Sequence, residues 1–245
     1  MPRRTQPEND LNGALLIDKP AGPTSHDIVD IARGQYGIKK IGHCGTLDPA
    51  ATGLLVLLLG KATKLSNRLT ADHKTYEGTI EFGVSTDSYD AQGDIIKRDR
   101  VPNLDCDYLN KQTQKFQGDI QQKPPMVSAV KKDGVPLYKL ARKGKTIERD
   151  PKPVHIFSFN FSNYNAPVGR FCVHCSKGTY VRSLAHELGQ QLECGAHLRT
   201  LHRTKSGCFD IKDSIKLEEL VLLSDLELHS RILSLEELAR LLQPA

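Results

Sequence analysis

The chain has 245 residues and a mass of 27.2 kDa, enough to bury the core of one domain, or of one domain with a small appendage. Hydrophobic residues make up 38% and charged residues 26%, as in ordinary soluble globular proteins. The longest apolar run, residues 54–59, is too short to cross a bilayer, and residues 1–12 lack the apolar core of a signal peptide. We therefore expect a cytoplasmic protein with no membrane partner.

The N-terminal part of the chain predicts a strand followed by a helix. Residues 13–18 form an apolar run typical of a buried strand, and Thr24 or Ser25 can cap a helix after the next turn. Apolar residues then recur at helical spacing, and Gly34 and Gly37 are expected to end this helix.

Further strands are predicted where apolar residues run together or alternate with polar ones. These segments are residues 54–59, 76–82, 157–161 and 171–175. Residues 109–116 suggest a helix that ends at Gly118, and the apolar residues of 181–192 fall on one helical face.

The tail of the chain contains two capping boxes. Ser224 precedes Glu227 by three residues, Ser234 precedes Glu237 in the same way, and each pair leads a short apolar helix. Over the whole chain, strands and helices alternate irregularly, which favours an α+β fold over a doubly wound one.

The net charge of +5 is concentrated in one segment. Residues 131–152 contain eight lysines and arginines against three aspartates and glutamates, a surplus equal to that of the whole chain. Concentrated positive charge is typical of a surface that binds a polyanion such as a nucleic acid. A solvated loop is the alternative, and the segment alone does not decide between them.

Six cysteines raise the question of a metal site. Cys172 and Cys175 have the spacing of a ligand pair, but no second pair of this kind occurs elsewhere in the sequence. Residues three apart on a strand also point to opposite faces. We therefore expect packed thiols and no metal; the alternative, a zinc protein, predicts stoichiometric bound metal.

Residues 42–55 carry the strongest functional signal. They hold one acidic side chain, Asp48, among small and turn-forming residues, with Pro49 directly after it. Glycine lets a backbone approach a ligand closely, and proline stiffens the chain. We expect a rigid loop that leads into a buried strand, a setting in which catalytic side chains concentrate. Taken alone, an aspartate before a proline is more typical of a turn.

Residues 42–55 resemble the catalytic loop G-H-x-G-T-L-D-P-x-A-T-G-x-L of the TruB family of pseudouridine synthases, and the match is nearly without gaps. That family isomerises a uridine in the T loop of tRNA to pseudouridine. The resemblance implies that Asp48 is the nucleophile of a covalent mechanism.

A second motif, residues 178–184, resembles the family pattern G-T-Y-[IV]-R-S-L. Tyr180 and Arg182 are two residues apart, so an extended segment would project both side chains to one side. Without the family, they read as residues that line a surface groove. The resemblance implies that Arg182 pairs with Asp48 and keeps it ionised, and that Tyr180 contacts the target base and removes its proton.

The resemblance also assigns residues around the base. It implies that Tyr76 stacks on the uracil, that His43 fills the space left by the flipped base, and that Leu201 borders the uracil pocket. Lys19 is implied to buttress the site. Without the family, Tyr76 reads as a sheet tyrosine and His43 as a loop histidine.

Three more segments match family patterns. Residues 124–144 resemble the insertion with which the family grips RNA, which favours RNA contact for the basic segment. Residues 196–204 resemble A-H-[LV]-x-x-L-R-R-T, with His202 in place of an arginine, so we expect a weaker, pH-dependent phosphate contact there. We interpret residues 86–90 mainly as a turn. The RNA-binding side chains expected are Lys131, Lys132, Arg142, Lys143, Arg199 and Arg203.

The resemblance covers residues 13–210 and implies a mixed, mainly antiparallel central sheet flanked by helices, the pseudouridine synthase fold. We expect a catalytic domain over residues 1–212, with the RNA-gripping insertion at 122–152, and a short helical tail over 213–245. We therefore expect the chain to lack the full C-terminal PUA domain that members of the family commonly carry.

The hypothesis is a monomeric enzyme that needs no cofactor, metal or obligate protein partner and acts on the T stem-loop of tRNA at position 55. It flips the uridine out of its stack, and Asp48 then attacks either C6 of the uracil or C1′ of the ribose. Two alternatives stay open. One is a guide-dependent synthase that acts on ribosomal RNA, and the other is a non-catalytic RNA-binding or tRNA-folding module on the same scaffold.

Overall fold

The computed structural model describes residues 11–128, 130–132, 134–137 and 147–243. The expectations for residues 1–10, for Arg142 and for Lys143 lie outside the described residues. Lys131 and Lys132 are described by their backbone alone.

The described residues form strands and helices in irregular alternation. The strands are β1 Gly13–Lys19, β2 Ile41–Cys44, β3 Thr52–Leu59, β4 Lys74–Phe82, β5 Val84–Thr86, β6 Ile95–Arg98, β7 Gly118–Gln122, β8 Lys131–Lys132, β9 Val135–Pro136, β10 Lys152–Asn165, β11 Val168–Cys175, β12 Ala196–Ser206, β13 Phe209–Asp210 and β14 Ile215–Lys216. The α-helices are α1 Ser25–Tyr36, α2 Ser66–Thr70, α3 Cys106–Thr113, α4 Val181–Gln191, α5 Leu217–Leu220, α6 Asp225–Arg231 and α7 Leu235–Leu241. Short 3₁₀ helices span Gly60–Leu65, Gln114–Phe116 and Ile211–Asp213.

The chain divides into two compact units, of which the first contains Met1–Lys74 and His202–Ala245. In this unit β1 lies between β3, which is antiparallel to it, and β14, which is parallel. β2 also pairs antiparallel with β3, and the second half of β12 runs parallel to the start of β3. Every residue of β3 after Thr52 is buried, so this strand forms the centre of the unit.

Helix α1 begins and ends with the capping chemistry that its sequence predicts. The Thr24 hydroxyl accepts from the Asp27 amide, the Asp27 carboxylate accepts from the Thr24 amide, and Gly37 closes the C-terminus at φ 65°. The expectation that Gly34 would end the helix was wrong, because the helix continues to Tyr36. Tyr36 is buried and donates from its hydroxyl to the Leu220 carbonyl, which anchors the last turn.

The tail helices α6 and α7 carry the two predicted capping boxes. Each helix buries a leucine, Leu228 in α6 and Leu238 in α7. Leu238 belongs to the same hydrophobic cluster as Leu16 of β1 and Val56 of β3. The tail therefore packs into the core of the first unit.

The second unit contains Thr75–Leu201. Its strands lie in the order β12, β4, β11, β10 and β7, with β10 antiparallel to both of its neighbours. Phe159 and Phe161 of β10 pack against Phe171 of β11, while Leu184 and Leu188 of α4 are fully buried. The predicted α+β class with a mixed, mainly antiparallel sheet is confirmed.

Within the described residues, no helix has the length and apolar character needed to span a membrane.

Gly53 offers a test of the packing around β3. Its φ is 99°, and a Cβ built on it would lie 2.4 Å from the carbonyl oxygen of Arg203. We expect Gly53→Ala to lower the free energy of unfolding by about 3 kcal/mol, because backbone atoms cannot move aside without breaking the strand pairing. Urea denaturation measures this change.

Gly34→Ala is the matched control. Gly34 lies inside α1, and a Cβ there would meet nothing within 4 Å. This substitution should raise the free energy of unfolding by about 0.5–1 kcal/mol, since alanine favours the helix. Equal effects of the two substitutions would contradict the packing described.

Candidate active site

The loop that carries Asp48 connects two paired strands of the first unit. β2 and β3 pair antiparallel from Ile41 with Leu59 to Cys44 with Val56. The loop therefore covers only residues 45–51, because the two ends of the predicted 42–55 segment belong to strands. Asp48 is half-buried in this loop.

The start of α1 and the turn before it hold the loop from one side. The Ser25 hydroxyl donates to the Leu47 carbonyl at 3.1 Å, and its oxygen accepts from the Leu47 amide at 2.9 Å. The Gly22 amide donates to the Pro49 carbonyl at 2.9 Å. The residues on both sides of Asp48 are thus fixed by hydrogen bonds to one short segment.

Arg203 joins the start of the loop to the strand that follows it. Its side chain is 1% exposed, and it donates from Nη2 to the Gly45 carbonyl at 2.9 Å and from Nε to the Leu54 carbonyl at 2.7 Å. Gly45, at φ 75°, leaves room for the guanidinium, since a Cβ there would lie 3.2 Å from Nη1. The expected contact between Arg203 and an RNA phosphate was wrong, because the side chain is buried and donates to these backbone carbonyls.

Lys19 is a second buried cation beside the loop. It is 0% exposed and donates to the Pro20 carbonyl at 2.7 Å and to the Pro49 carbonyl at 3.2 Å. Burial lowers the pKa of Lys19 to about 8, while the neighbouring Asp48 carboxylate acts in the opposite direction. Lys19 is therefore mainly protonated at neutral pH. The buttressing role expected of it stays a prediction.

Two histidines lie near the loop in the same unit. His43 of β2 is half-buried, and its Nδ1 is buried without a hydrogen-bond partner among the residues that the structure describes. Burial, and then the Arg203 charge, lower the pKa of His43, so the ring is neutral at pH 7. His202 places Nδ1 2.8 Å from the Thr52 hydroxyl, so its expected phosphate contact would have to use Nε2.

Tyr180 and Arg182 lie in the second unit, where α4 begins. Tyr180 is the N-cap residue and Arg182 belongs to the first turn of the helix. The helix predicted from Val181 is confirmed, so Arg182 lies in a helical turn, while Tyr180 before it keeps an extended backbone. Gln122, which the sequence analysis missed, accepts from the Tyr180 amide at 2.7 Å and donates to the Tyr180 carbonyl at 3.1 Å.

Arg182 is 4% exposed and ties two backbone segments to α4. It donates to the Ser88 carbonyl at 3.2 Å and to the Val127 carbonyl at 2.8 Å. Its Nη1 also lies 3.4 Å from the carboxylate of Asp90. Residues 86–90 do form the expected turn, but this turn also supplies an acidic partner, which their match to a family pattern could have indicated. The pairing of Arg182 with Asp48 stays a prediction.

The other predicted site residues lie on strands of the second unit. Tyr76 of β4 is buried and Leu201 of β12 is half-buried. Arg199 has a side chain that is 52% exposed and lies 3.4 Å from the Glu81 carboxylate. Its exposure is compatible with a phosphate contact. The roles of these three residues stay predictions.

The RNA contacts expected of Lys131, Lys132, Arg142 and Lys143 also stay predictions.

Among the described residues, no group of three or more histidine, cysteine, aspartate or glutamate side chains could hold a metal ion. Cys172 and Cys175 lie on β11, where Cys175 is buried and Cys172 half-buried.

Comparison with solved structures identifies the fold. A chain in the crystal structure of a Cbf5-Nop10-Gar1 complex is similar to this one, with a TM-score of 0.73 and 28% sequence identity. The match covers 92% of this chain and 60% of that chain. The architecture is that of the pseudouridine synthases.

Sequence comparison then gives the family. Residues 33–181 match the model for the TruB family pseudouridylate synthase N-terminal domain, and residues 182–245 match the tRNA pseudouridylate synthase B C-terminal domain. The tRNA pseudouridine synthase B of Opitutus terrae is 47% identical, over 96% of this chain and 97% of that protein. That of Syntrophotalea carbinolica is 42% identical, over 94% of this chain and 75% of that protein. The chain therefore belongs to the TruB family and is an enzyme of the isomerase class.

The buried Lys19 predicts a pH dependence of stability. The pKa of Lys19 is lower in the folded protein than in the unfolded chain, where it is near 10.5. Between about pH 8 and the unfolded value, the unfolded state binds more protons, so this group makes the folded protein more stable as pH rises, by at most about 1.4 kcal/mol per pH unit.

Lys19→Met removes this contribution. We expect the difference in unfolding free energy between wild type and Lys19→Met to change in favour of wild type between pH 7.5 and 9.5, as measured by urea denaturation at both values. A difference that stays constant over this range would show that Lys19 titrates in the folded protein as it does in water.

Proposed function

We propose that this enzyme converts the uridine at position 55 in the T loop of tRNA to pseudouridine by covalent catalysis through Asp48. The observation that carries the proposal is the Asp48 loop, whose start is joined to β3 by the buried Arg203 and which contacts the buried Lys19. Relatives named tRNA pseudouridine synthase B, similar over most of the chain, support tRNA as the substrate.

A half-buried carboxylate on a fixed loop suits a nucleophile. Hydrogen bonds to the residues around Asp48 limit the motion of the loop, so the carboxylate can be placed before the substrate binds. The charge of Lys19 favours a carboxylate over a neutral acid next to it. A carboxylate can form a covalent intermediate with a base or a sugar.

The proposed reaction begins with the uridine flipped out of its stack. Asp48 attacks either C6 of the uracil or C1′ of the ribose, and the bond between N1 and C1′ breaks. The uracil turns, C5 forms the new bond to C1′, and the bond to Asp48 breaks, at C1′ as C5 displaces it or at C6 as the C5 proton leaves. The C5 proton leaves, with Tyr180 as its proposed acceptor, and N1 gains a proton. The product is therefore an isomer of the substrate, and no oxidant or second substrate is consumed.

The second unit supplies the proposed contacts with the base. Arg182 is already buried and bonded to backbone carbonyls, so its charge is fixed in place without the substrate. We propose that Arg182 pairs with the Asp48 carboxylate in the reacting complex. Tyr76 stacks on the uracil, Leu201 borders it, and the basic segment of residues 131–152 contacts the phosphates.

The direct test uses tRNA tritiated at C5 of its uracils. Wild-type enzyme should release tritium in the presence of EDTA, and Asp48→Asn should reduce the release at least about a thousandfold, because the neutral amide is a poor nucleophile. Asp30→Asn is the matched control, since Asp30 lies exposed on α1 and pairs only within that helix in the described structure. It should react like wild type.

The outcomes separate the enzyme from a binding module. Asp48→Asn should still bind tRNA, while product formation is lost. Wild-type enzyme should release about one tritium per tRNA, and replacement of uridine 55 by cytidine should abolish this release. Release from other positions would contradict the T-loop assignment, and no release by wild type from an unmodified tRNA would favour a module that binds without reacting.

A further inference from the structure

We propose that the stacked side chains of Tyr89 and His186 act as positioning residues that hold Asp90 against Arg182. This inference rests on the proposed function, because it concerns how Arg182 is kept in place for the reaction. All four residues lie in the second unit.

The two rings form a close stack. The centroids of Tyr89 and His186 are 3.8 Å apart and their planes differ by 11°. Nδ1 of His186 is buried and has no hydrogen-bond partner among the described residues. A buried nitrogen without a hydrogen bond costs free energy. Because no hydrogen bond at Nδ1 orients this side of the ring, the stack on Tyr89 fixes it. Burial lowers the pKa of His186, which keeps the ring neutral at pH 7.

Tyr89 needs the stack on His186 because its backbone adopts an unfavourable conformation. Its φ is 67°, in the left-handed region that a tyrosine rarely adopts. Such a conformation persists only where its surroundings hold it. Leu198 contributes one restraint, since its amide donates to the Tyr89 carbonyl at 3.0 Å. The His186 ring contributes the restraint on the side chain.

The conformation of Tyr89 determines where the next residue lies. Asp90 follows Tyr89 directly, and its carboxylate accepts from the Ser88 hydroxyl at 2.6 Å and lies 3.4 Å from Arg182. If Tyr89 relaxed to negative φ, the chain would leave the turn and carry Asp90 away from the guanidinium.

Helix α4 holds this turn at two points. Arg182 and His186 are four residues apart, so they lie on one face of α4 one turn from each other. Arg182 binds the Ser88 carbonyl and the Asp90 carboxylate, and His186 stacks on the residue between them. Loss of the stack should therefore loosen Asp90 and let the Arg182 guanidinium move, while tRNA binding surfaces stay intact.

The test compares single-turnover pseudouridine formation at saturating enzyme with the dissociation constant for tRNA. Tyr89→Ala and His186→Ala should each lower the rate constant by roughly tenfold or more, with a dissociation constant within about twofold of wild type. The double variant should be no slower than the slower single variant, because both remove the same stack. Tyr89→Phe and His186→Phe keep two stacked rings and should restore most of the rate.

His174→Ala is the matched control. His174 of β11 is stacked on Phe157 with centroids 4.6 Å apart, so the substitution also removes a ring stack. It should leave the rate unchanged. Circular dichroism and thermal melting check that each variant folds. If one alanine variant does not fold, the test uses the other alanine variant together with the phenylalanine variant at the failed position.

Alanine variants that react at the wild-type rate would overturn the inference, and so would phenylalanine variants as slow as the alanine ones. Failure of the wild-type enzyme to form pseudouridine would instead overturn the proposed function, on which this inference rests.

Discussion

The hydrogen bonds from the buried Arg203 guanidinium to the Gly45 and Leu54 carbonyls are the constraint on which the candidate site depends. Burying a cation costs free energy unless its donors are satisfied, and here backbone carbonyls at the start of the Asp48 loop and in the strand after it satisfy them. Gly45 and Gly53 leave the space that the arginine and its backbone occupy. The loop can therefore stay short and rigid, with Asp48 half-buried on it and Lys19 beside it.

The second unit also contains a buried arginine that is held by backbone carbonyls. Arg182 is also buried, and it also donates to backbone carbonyls, those of Ser88 and Val127, with Asp90 as an acidic partner. In both units the positive charge is fixed by the fold before any substrate binds. Charge that is oriented in advance needs no reorganisation during the reaction, which is the condition under which electrostatic stabilisation of a transition state is most effective. The stack of Tyr89 on His186 extends this arrangement by one turn of α4.

Much of the fold could be predicted because its signals are local. The Thr24 capping box, the apolar run of β3 and the alternation along β4 each show within a few residues, and the structure has them. The Asp48 loop was found in the same way, through a contiguous motif. Arg203 was misassigned because its partners, Gly45 and Leu54, are 158 and 149 residues away, and the same side chain can bind a phosphate or a carbonyl. Asp90 was missed for a related reason, since Arg182 lies far along the chain from it. Gly34 was misjudged because the contact that continues α1, from Tyr36 to Leu220, is also long-range.

Arg203→Lys tests most directly whether this guanidinium orders the Asp48 loop. Lysine keeps the charge but cannot donate in a fork to two carbonyls. Single-turnover pseudouridine formation and the salt dependence of tRNA binding are measured together for wild type and variant. The structure predicts a rate at saturating enzyme that falls by roughly tenfold or more, with unchanged affinity and salt dependence. Weaker binding with a smaller salt dependence, at an unchanged saturating rate, would contradict it and return Arg203 to the RNA-binding surface.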